Sequence, residues 1–598
     1  MLISTKSSVL RTGTLVAAAA LTLTAGAAAN PLRRQSNSSI SWFACPDHHN
    51  SQCAFFDVPR DYSNPAEGDT VSIFMRKIPA NVSDENRLGT ILINPGGPGG
   101  SGSAFAALSG EEMRDLVDGR YDVIGFDPRA VNLTGPWTAC FDVEAKPLLM
   151  QYQQEFNGAP YPHSTLENDR AVVNKLKALQ AGHSAACIEN GNRKILEASG
   201  TAFVVQDMAR IVEALGEDGI NYWGYSYGTI LGATFAAMRP DLIRRMVLDG
   251  VSNSESYFND ILQWGRDGMA ETEKTYTGFL STCADAGPDL CAFAVPPGNS
   301  TQKQTTATLR KRLTTIFNRL GKEPLVVADT VIGPGILKAS DLQAIILSLL
   351  YSPSAWSYAM QALTELEKSN GREAYNAIYY PLATVDNHQY TDNVFNRSMQ
   401  RYSTRESLMP ILCSDAKALN LSVNAYTDYF IEMGKISPVG ETWARIGGGC
   451  NGWPFRSSQR YTGPWTVEKG LKKTKFRFPI LFASLDGDPV TPLSSALKMS
   501  RGFGKESATL LIQQGFGHCT SAHPSLCTYK HIRDYFVDGK VPANGTHCTP
   551  EPGFIYPTNG TNSKREVSGL DKRDAELLES VHRLREARSK FNLDLFDN

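Results

Sequence analysis

The segment Trp223-Gly224-Tyr225-Ser226-Tyr227-Gly228-Thr229 constrains this 598-residue chain more than any other, because it reads as a strand handing a serine to the first turn of a helix. Gly219 to Trp223 suits a short buried strand, and Ile230 to Ala237 suits a packed helix. The glycines two before and two after Ser226 leave room for a strained turn that exposes the hydroxyl. Alone, G-x-S-x-G is weak evidence in a chain with 50 glycines. Its surroundings carry the reading.

Three further segments supply those surroundings. Upstream, Thr90 to Gly102 is an apolar strand running into a glycine-rich loop, and such a loop can turn backbone N–H groups toward an oxyanion. Gly97 and Tyr227 are the candidate N–H donors. Downstream, Phe478 to Pro492 is a buried strand ending in a turn with two acids, Asp486 and Asp488. Ala508 to His518 is a last strand followed by a loop that presents an imidazole. Each group follows the end of a strand, where an open, mostly parallel α/β sheet places its ligands. The order Ser, Asp, His predicts Ser226 as nucleophile, His518 as its base and a carboxylate as the histidine's orienter. Either acid can play the last role; Asp488 is favoured.

Competing readings are weaker. No G-x-G-x-x-G opens a helix after the glycine-rich loop and no Walker lysine follows it, which argues against phosphate binding. His523, the nearest rival base, lies outside the strand-loop junction. Cys519 adjoins His518 but follows no elbow and lacks a base of its own. No C-x-x-C or H-E-x-x-H spacing suggests zinc, so neither metal nor cofactor is expected.

With these residues in view, the chain resembles the secreted tripeptidyl aminopeptidase and proline iminopeptidase group of α/β hydrolases, serine peptidases whose C-terminal part is TAP-like. The segments that carry the resemblance are Asn94 to Gly102 (NPGGPGGSG), Tyr121 to Arg129 (YDVIGFDPR), Gly224 to Thr229 (GYSYGT), Met246 to Val251 (MVLDGV), Asp488 to Pro492 (DPVTP), Gly515 to His518 (GFGH) and Asp538 to Cys548 (DGKVPANGTHC). The resemblance spans about Cys45 to Cys548, with the middle largely unmatched. It implies an α/β-hydrolase fold and the triad Ser226, Asp488 and His518. The chain departs from the group after Arg129: where the group has a small glycine-rich turn, this sequence reads Ala130-Val131-Asn132-Leu133-Thr134. That departure bears on substrate preference more than on chemistry.

The composition, 42% hydrophobic and 20% charged, suits a large globular protein, and a net charge of −2 gives no argument for nucleic acid or an anionic membrane as partner. Residues 1–29 read as a signal peptide: Lys6 and Arg11 precede an Ala- and Leu-rich run ending Ala27-Ala28-Ala29, too short and weakly apolar to span a bilayer. Secretion is therefore expected, with no membrane anchor. Sequons at Asn37, Asn81, Asn132, Asn299, Asn396, Asn420, Asn544 and Asn559 fit that address. So do eleven cysteines of mostly local spacing, for which the expected pairs are 45 with 53, 140 with 187, 283 with 291, 413 with 450, and 527 with 548, leaving Cys519 single.

Organisation follows from where these pieces fall. Residues 30–34 contain a dibasic pair and suit a pro-segment, 35–251 the first part of the core, 252–470 a mainly helical cap inserted between nucleophile and acid, and 471–556 the returning core. The polar stretch 557–598 is expected to be mobile or removed, with dibasic points at Lys564-Arg565 and Lys572-Arg573; a dimerising helix over Asp571 to Phe591 is the rival reading. An exopeptidase must also hold a substrate ammonium, and Asp415 and Glu441 in the cap are the named guesses. Three functions remain: an aminopeptidase working through an acyl-enzyme, a carboxylesterase using the same triad on a small ester, and a binding glycoprotein that keeps only the fold.

Overall fold

The computed structural model describes residues 40–48, 50–142, 145–161, 164–298, 301–328, 330–383, 404–471, 478–557 and 569–597. The expected signal peptide, the first dibasic pair and the sequons at Asn37, Asn299, Asn396 and Asn559 lie outside them.

Five strands carry runs with every position buried: β4 (Thr90–Asn94), β5 (Asp122–Phe126), β6 (Ile220–Tyr225), β10 (Ile480–Leu485) and β11 (Ala508–Gln513). Runs of that kind belong in a parallel sheet covered on both faces. Together with β1 (Phe43–Ala44), β2 (Gln52–Pro59), β3 (Thr70–Ile78), β7 (Ile243–Asp249) and β12 (Thr546–Cys548) they form a sheet ordered β1-β2-β3-β5-β4-β6-β7-β10-β11-β12. From β5 to β12 every neighbouring pair is parallel. The β1–β3 end is antiparallel. The register sets Asn94 beside Gly224, Tyr225 beside Asp249, and Leu485 beside Gln513, so the strands end along one carboxyl edge.

Because side chains alternate along a strand, successive residues serve two cores. Leu92, Tyr222, Leu248 and Phe482 belong to the core that holds helices Thr201–Ala214 and Tyr227–Met238. Ile91, Trp223, Val247 and Leu481 point into the opposite core, with helices Gly102–Asp115 and Leu526–Asp538. Among the described residues between β7 and β10 the regular elements are helices apart from one hairpin, β8 (Leu325–Val327) with β9 (Gly335–Leu337). Helices Ala145–Asn157 and Leu166–Asn190, which the sequence reading left in the first core segment, join this helical layer. Arg445 grips Glu155 with two 2.9 Å bonds, and Gln180 donates to Tyr426. Among the described residues no helix is long and apolar enough to cross a membrane.

Two expectations change. Within the terminal stretch, helix Lys572–Asp597 is docked: it lies against helix Gly102–Asp115 and buries Leu577, Leu578, Val581 and Leu584. These four residues of the apolar stripe are therefore covered within the chain rather than left for a partner helix. Asn132 is a poor glycan acceptor, because it is buried and its Nδ2 donates to Ser101 Oγ at 3.0 Å. The five cysteine pairs stand at bonding distance in the expected combinations, and Cys519 is single and buried.

Candidate active site

Ser226 occupies the turn between β6 and helix Tyr227–Met238 with φ 55° and ψ −121°, a conformation that costs a non-glycine residue about 1–3 kcal/mol. The turn is held from both sides. Its N–H donates to the Asp249 carbonyl at 3.0 Å, and its carbonyl accepts Thr229 N at 2.8 Å and Thr229 Oγ1 at 2.6 Å. Two glycines make the packing possible. A Cβ on Gly224 would stand 2.4 Å from the Gly228 carbonyl oxygen, and one on Gly96 would stand 2.8 Å from Ser226 Cβ and 3.2 Å from Tyr227 N. The glycine-rich loop therefore presses directly on the nucleophile turn, which is where an oxyanion needs its donors.

Asp127, just past β5, organises that loop. Its buried carboxylate accepts Ser101 Oγ at 2.7 Å, Ser103 N at 3.0 Å and Ser103 Oγ at 2.8 Å. Ser101 in turn caps helix Gly102–Asp115 by accepting Ala104 N. The departing segment reaches the same place: Leu133 N bonds Asp127 and Asn132 bonds Ser101. Ala130 and Asn132 both have positive φ.

Asp488 and His518 meet at the far side of the edge. Nδ1 of His518 lies 3.0 and 3.1 Å from the two carboxylate oxygens, which also accept the N–H groups of Val490, Thr491 and Cys519 at 2.8–3.0 Å. Burial opposes the charge on Asp488, but the imidazole and these N–H groups outweigh it and hold the carboxyl below its ordinary range. With Nδ1 engaged, Nε2 is the nitrogen left for a hydroxyl. The ring packs edge-on against Tyr351 at 4.7 Å, and His518 N donates to the Tyr351 carbonyl at 3.0 Å. Tyr351 ends a helix of the inserted layer, so that layer steadies the imidazole. No local sequence signal marked it.

Asp249, at the end of β7, ties the two halves together. Its carbonyl takes the Ser226 N–H, while its carboxylate accepts Thr520 N at 2.8 Å and Thr520 Oγ1 at 2.6 Å, two residues past His518. Burial pushes this carboxyl up to about 6, against the pull of Thr520. The sequence contained it in MVLDGV without assigning it a task.

The other candidates are placed elsewhere. Asp486 accepts Gly515 N at 3.0 Å and pairs with Lys274 at 2.9 Å, so it is a turn former. His523 accepts Phe516 N through Nδ1 and packs at a tilt against Phe554, and burial depresses it to about 4. Burial pushes the Cys519 thiol well up, the wrong direction for a nucleophile. Asp415 and Glu441, the two guesses for holding a substrate ammonium, both have partners within the chain. Asp415 is fully buried and accepts Thr201 N at 2.9 Å, Thr201 Oγ1 and the Tyr257 hydroxyl, so it caps helix Thr201–Ala214 from a remote part of the chain. Glu441 is buried against Gln343 at 3.1 Å, and burial pushes its carboxyl up to about 8.

Comparison with known proteins bears on the fold that carries these residues. Residues 89–286 match the model of the alpha/beta hydrolase fold, and residues 436–548 match that of TAP-like protein. Serine protease Hip1 of Mycobacterium tuberculosis is 25% identical over 503 residues, 83% of this chain and 87% of that protein. Tripeptidyl aminopeptidase of Streptomyces lividans is 26% identical over 529 residues, 86% of this chain and 88% of that one. Carboxylesterase B of M. tuberculosis is 24% identical over 530 residues, covering 85% and 90%. With its parallel sheet, its strained serine turn and both model matches, the chain is an α/β hydrolase with a TAP-like C-terminal part.

Proposed function

We propose that this hydrolase is a secreted serine peptidase that removes short peptides or single residues from peptide N-termini, with Ser226, His518 and Asp488 as its triad. The observation that supports the assignment best is the double role of Asp249, which binds the Ser226 turn through its carbonyl and the His518 loop through its carboxylate. Ser226 Oγ attacks the scissile carbonyl while His518 Nε2 takes the hydroxyl proton. The N–H groups of Tyr227 and Gly97 stabilise the oxyanion, each donor being worth about 3 kcal/mol in reactions of this kind. Collapse of the tetrahedral intermediate breaks the C–N bond, and the leaving amine takes the proton back from His518. Water then attacks the acyl-enzyme by the same route in reverse. Asp488 keeps the proton of the neutral ring on Nδ1 and stabilises the imidazolium.

The peptide assignment draws on the peptidase relatives; the carboxylesterase relative makes a small ester the second reading. Labelling with a fluorophosphonate probe tests the nucleophile: folded protein should be modified at Ser226 and nowhere else. A panel of N-terminally free and N-acylated chromogenic peptides beside short acyl esters tests the substrate. Free peptides should be preferred. Equal cleavage of blocked and free peptides removes the exopeptidase reading, and faster turnover of esters favours the second one. Secretion predicts that the exported protein lacks residues 1–29, which N-terminal sequencing reads directly.

A further inference from the structure

Helix Lys572–Asp597 carries more than an apolar stripe. One turn beyond Leu584, Arg588 is only 4% exposed, its guanidinium 3.9 Å from the centre of the Tyr225 ring and 5.5 Å from that of Phe105. Tyr225 immediately precedes Ser226. Nε and Nη1 of Arg588 are buried without a hydrogen-bond partner, and so is Nε of Arg585. Arg585 spends Nη2 on Glu586 at 2.8 Å. Among the described residues the acid that feels the Arg588 charge is Asp249, and its two oxygens are already bonded to Thr520. A buried cation without a paired anion is costly, and the cost falls when an anion joins it.

Both arginines face one small opening. Its lining consists of Arg585, Arg588 and Ser589 from the helix, Ser352 and Ser354 from the inserted layer, and His518, Ser521 and Ala522 from the histidine loop, with no carboxylate among them. The room inside, about 10 Å³ for the centre of a water-sized sphere, admits one small group. Hydroxyls and guanidinium N–H groups around such a space are donors looking for an acceptor.

We propose that the C-terminal helix builds an anion site beside His518, taking a carboxylate or a carboxylate-sized free anion on Arg588, Arg585 and the flanking serines. The anion is either a free one from solution or the terminal carboxylate of a peptide, and the two sources share this chemistry. Only the peptide source rests on the proposed peptidase reading.

The test uses the full chain at constant ionic strength. Sodium acetate replacing sodium chloride, whose single-atom anion cannot bridge the donors as two carboxylate oxygens do, should raise Tm by about 1–3 °C in the parent. The rise should vanish in Arg588→Gln, shrink in Arg585→Gln and survive in part in Arg588→Lys, which keeps the charge and loses the fork. A peptide source further predicts that kcat/KM for a short substrate with a free C-terminal carboxylate exceeds that for its amide about tenfold, and that Arg588→Gln abolishes the difference. Acetate stabilisation with no carboxylate preference assigns the site to a free anion. An acetate effect of the same size in Arg588→Gln, or none in the parent together with no carboxylate preference, overturns the proposal. Should Arg588→Gln not fold, Arg585→Gln and Arg588→Lys decide by the same readings. Because Tm is read without turnover, loss of the peptidase reading leaves this test standing.

Discussion

Two fully buried carboxylates, Asp488 and Asp415, sit within the same molecule and accept similar bonds from backbone N–H groups, yet their charges are treated in opposite ways. Asp488 faces an imidazole and three N–H groups, which hold its carboxyl low despite burial. Asp415 faces Thr201 and the Tyr257 hydroxyl, with Arg460 acting on it only weakly, and burial pushes it up to about 6. Burial alone therefore does not mark a reactive acid. What separates the two regions is a titratable partner: the first holds an imidazole, the second ends a helix.

The largest effects should fall on the first region. Replacing Ser226 by Ala should lower kcat by about 10⁶-fold while leaving Tm unchanged; a variant that hydrolyses at the parental rate ends the assignment. Asp488→Asn should cost about 10⁴-fold, because the histidine then favours the wrong tautomer. The same exchange at Asp415 should leave kcat/KM within a few-fold, so equal losses at both positions would erase the contrast drawn above.

Stability against pH sharpens it further. A carboxyl whose folded pKa is raised binds more protons folded than unfolded between the two values. The share of Asp415 in stability is therefore complete below its ordinary 3.8 and declines as pH rises toward about 6, by up to about 3 kcal/mol. Asp488 acts with the opposite sign: its contribution is present above 3.8 and is lost as pH falls through its lowered folded pKa. Calorimetry between pH 4 and pH 6 should find that Asp415→Asn flattens the decline of the parent; an unchanged profile would falsify the assignment. The smallest effect belongs to Asp486, two residues from Asp488. Asp486→Asn keeps the acceptor for Gly515 and loses a half-exposed pair with Lys274, so stability should drop by less than about 1 kcal/mol and turnover stay near parental.

Much of this was legible along the chain. The uniformly buried strands β4, β6, β10 and β11 read as apolar runs bounded by turn residues, and residues 230–237 as a packed helix after the serine. Ser226 and His518 stood out because each follows such a run. The strands β1, β2 and β12 were missed: β1 and β12 are short, and β2 lies at the antiparallel end, so their place depends on pairing partners rather than on local pattern. The terminal helix was misjudged for a related reason, since its polar face dominates the composition while four apolar residues decide its docking.

The sequence by itself determined which chemical groups are present, the parallel sheet, and the two turns that present a hydroxyl and an imidazole, because strand and turn preferences act over a few residues. Only the tertiary structure decided which acid meets His518, that Asp249 joins the two turns, that Asp415 and Glu441 are consumed inside, and that Arg588 arrives from the chain's far end. Those outcomes depend on desolvation and on contacts between residues far apart in sequence, and neither leaves a trace in local spacing.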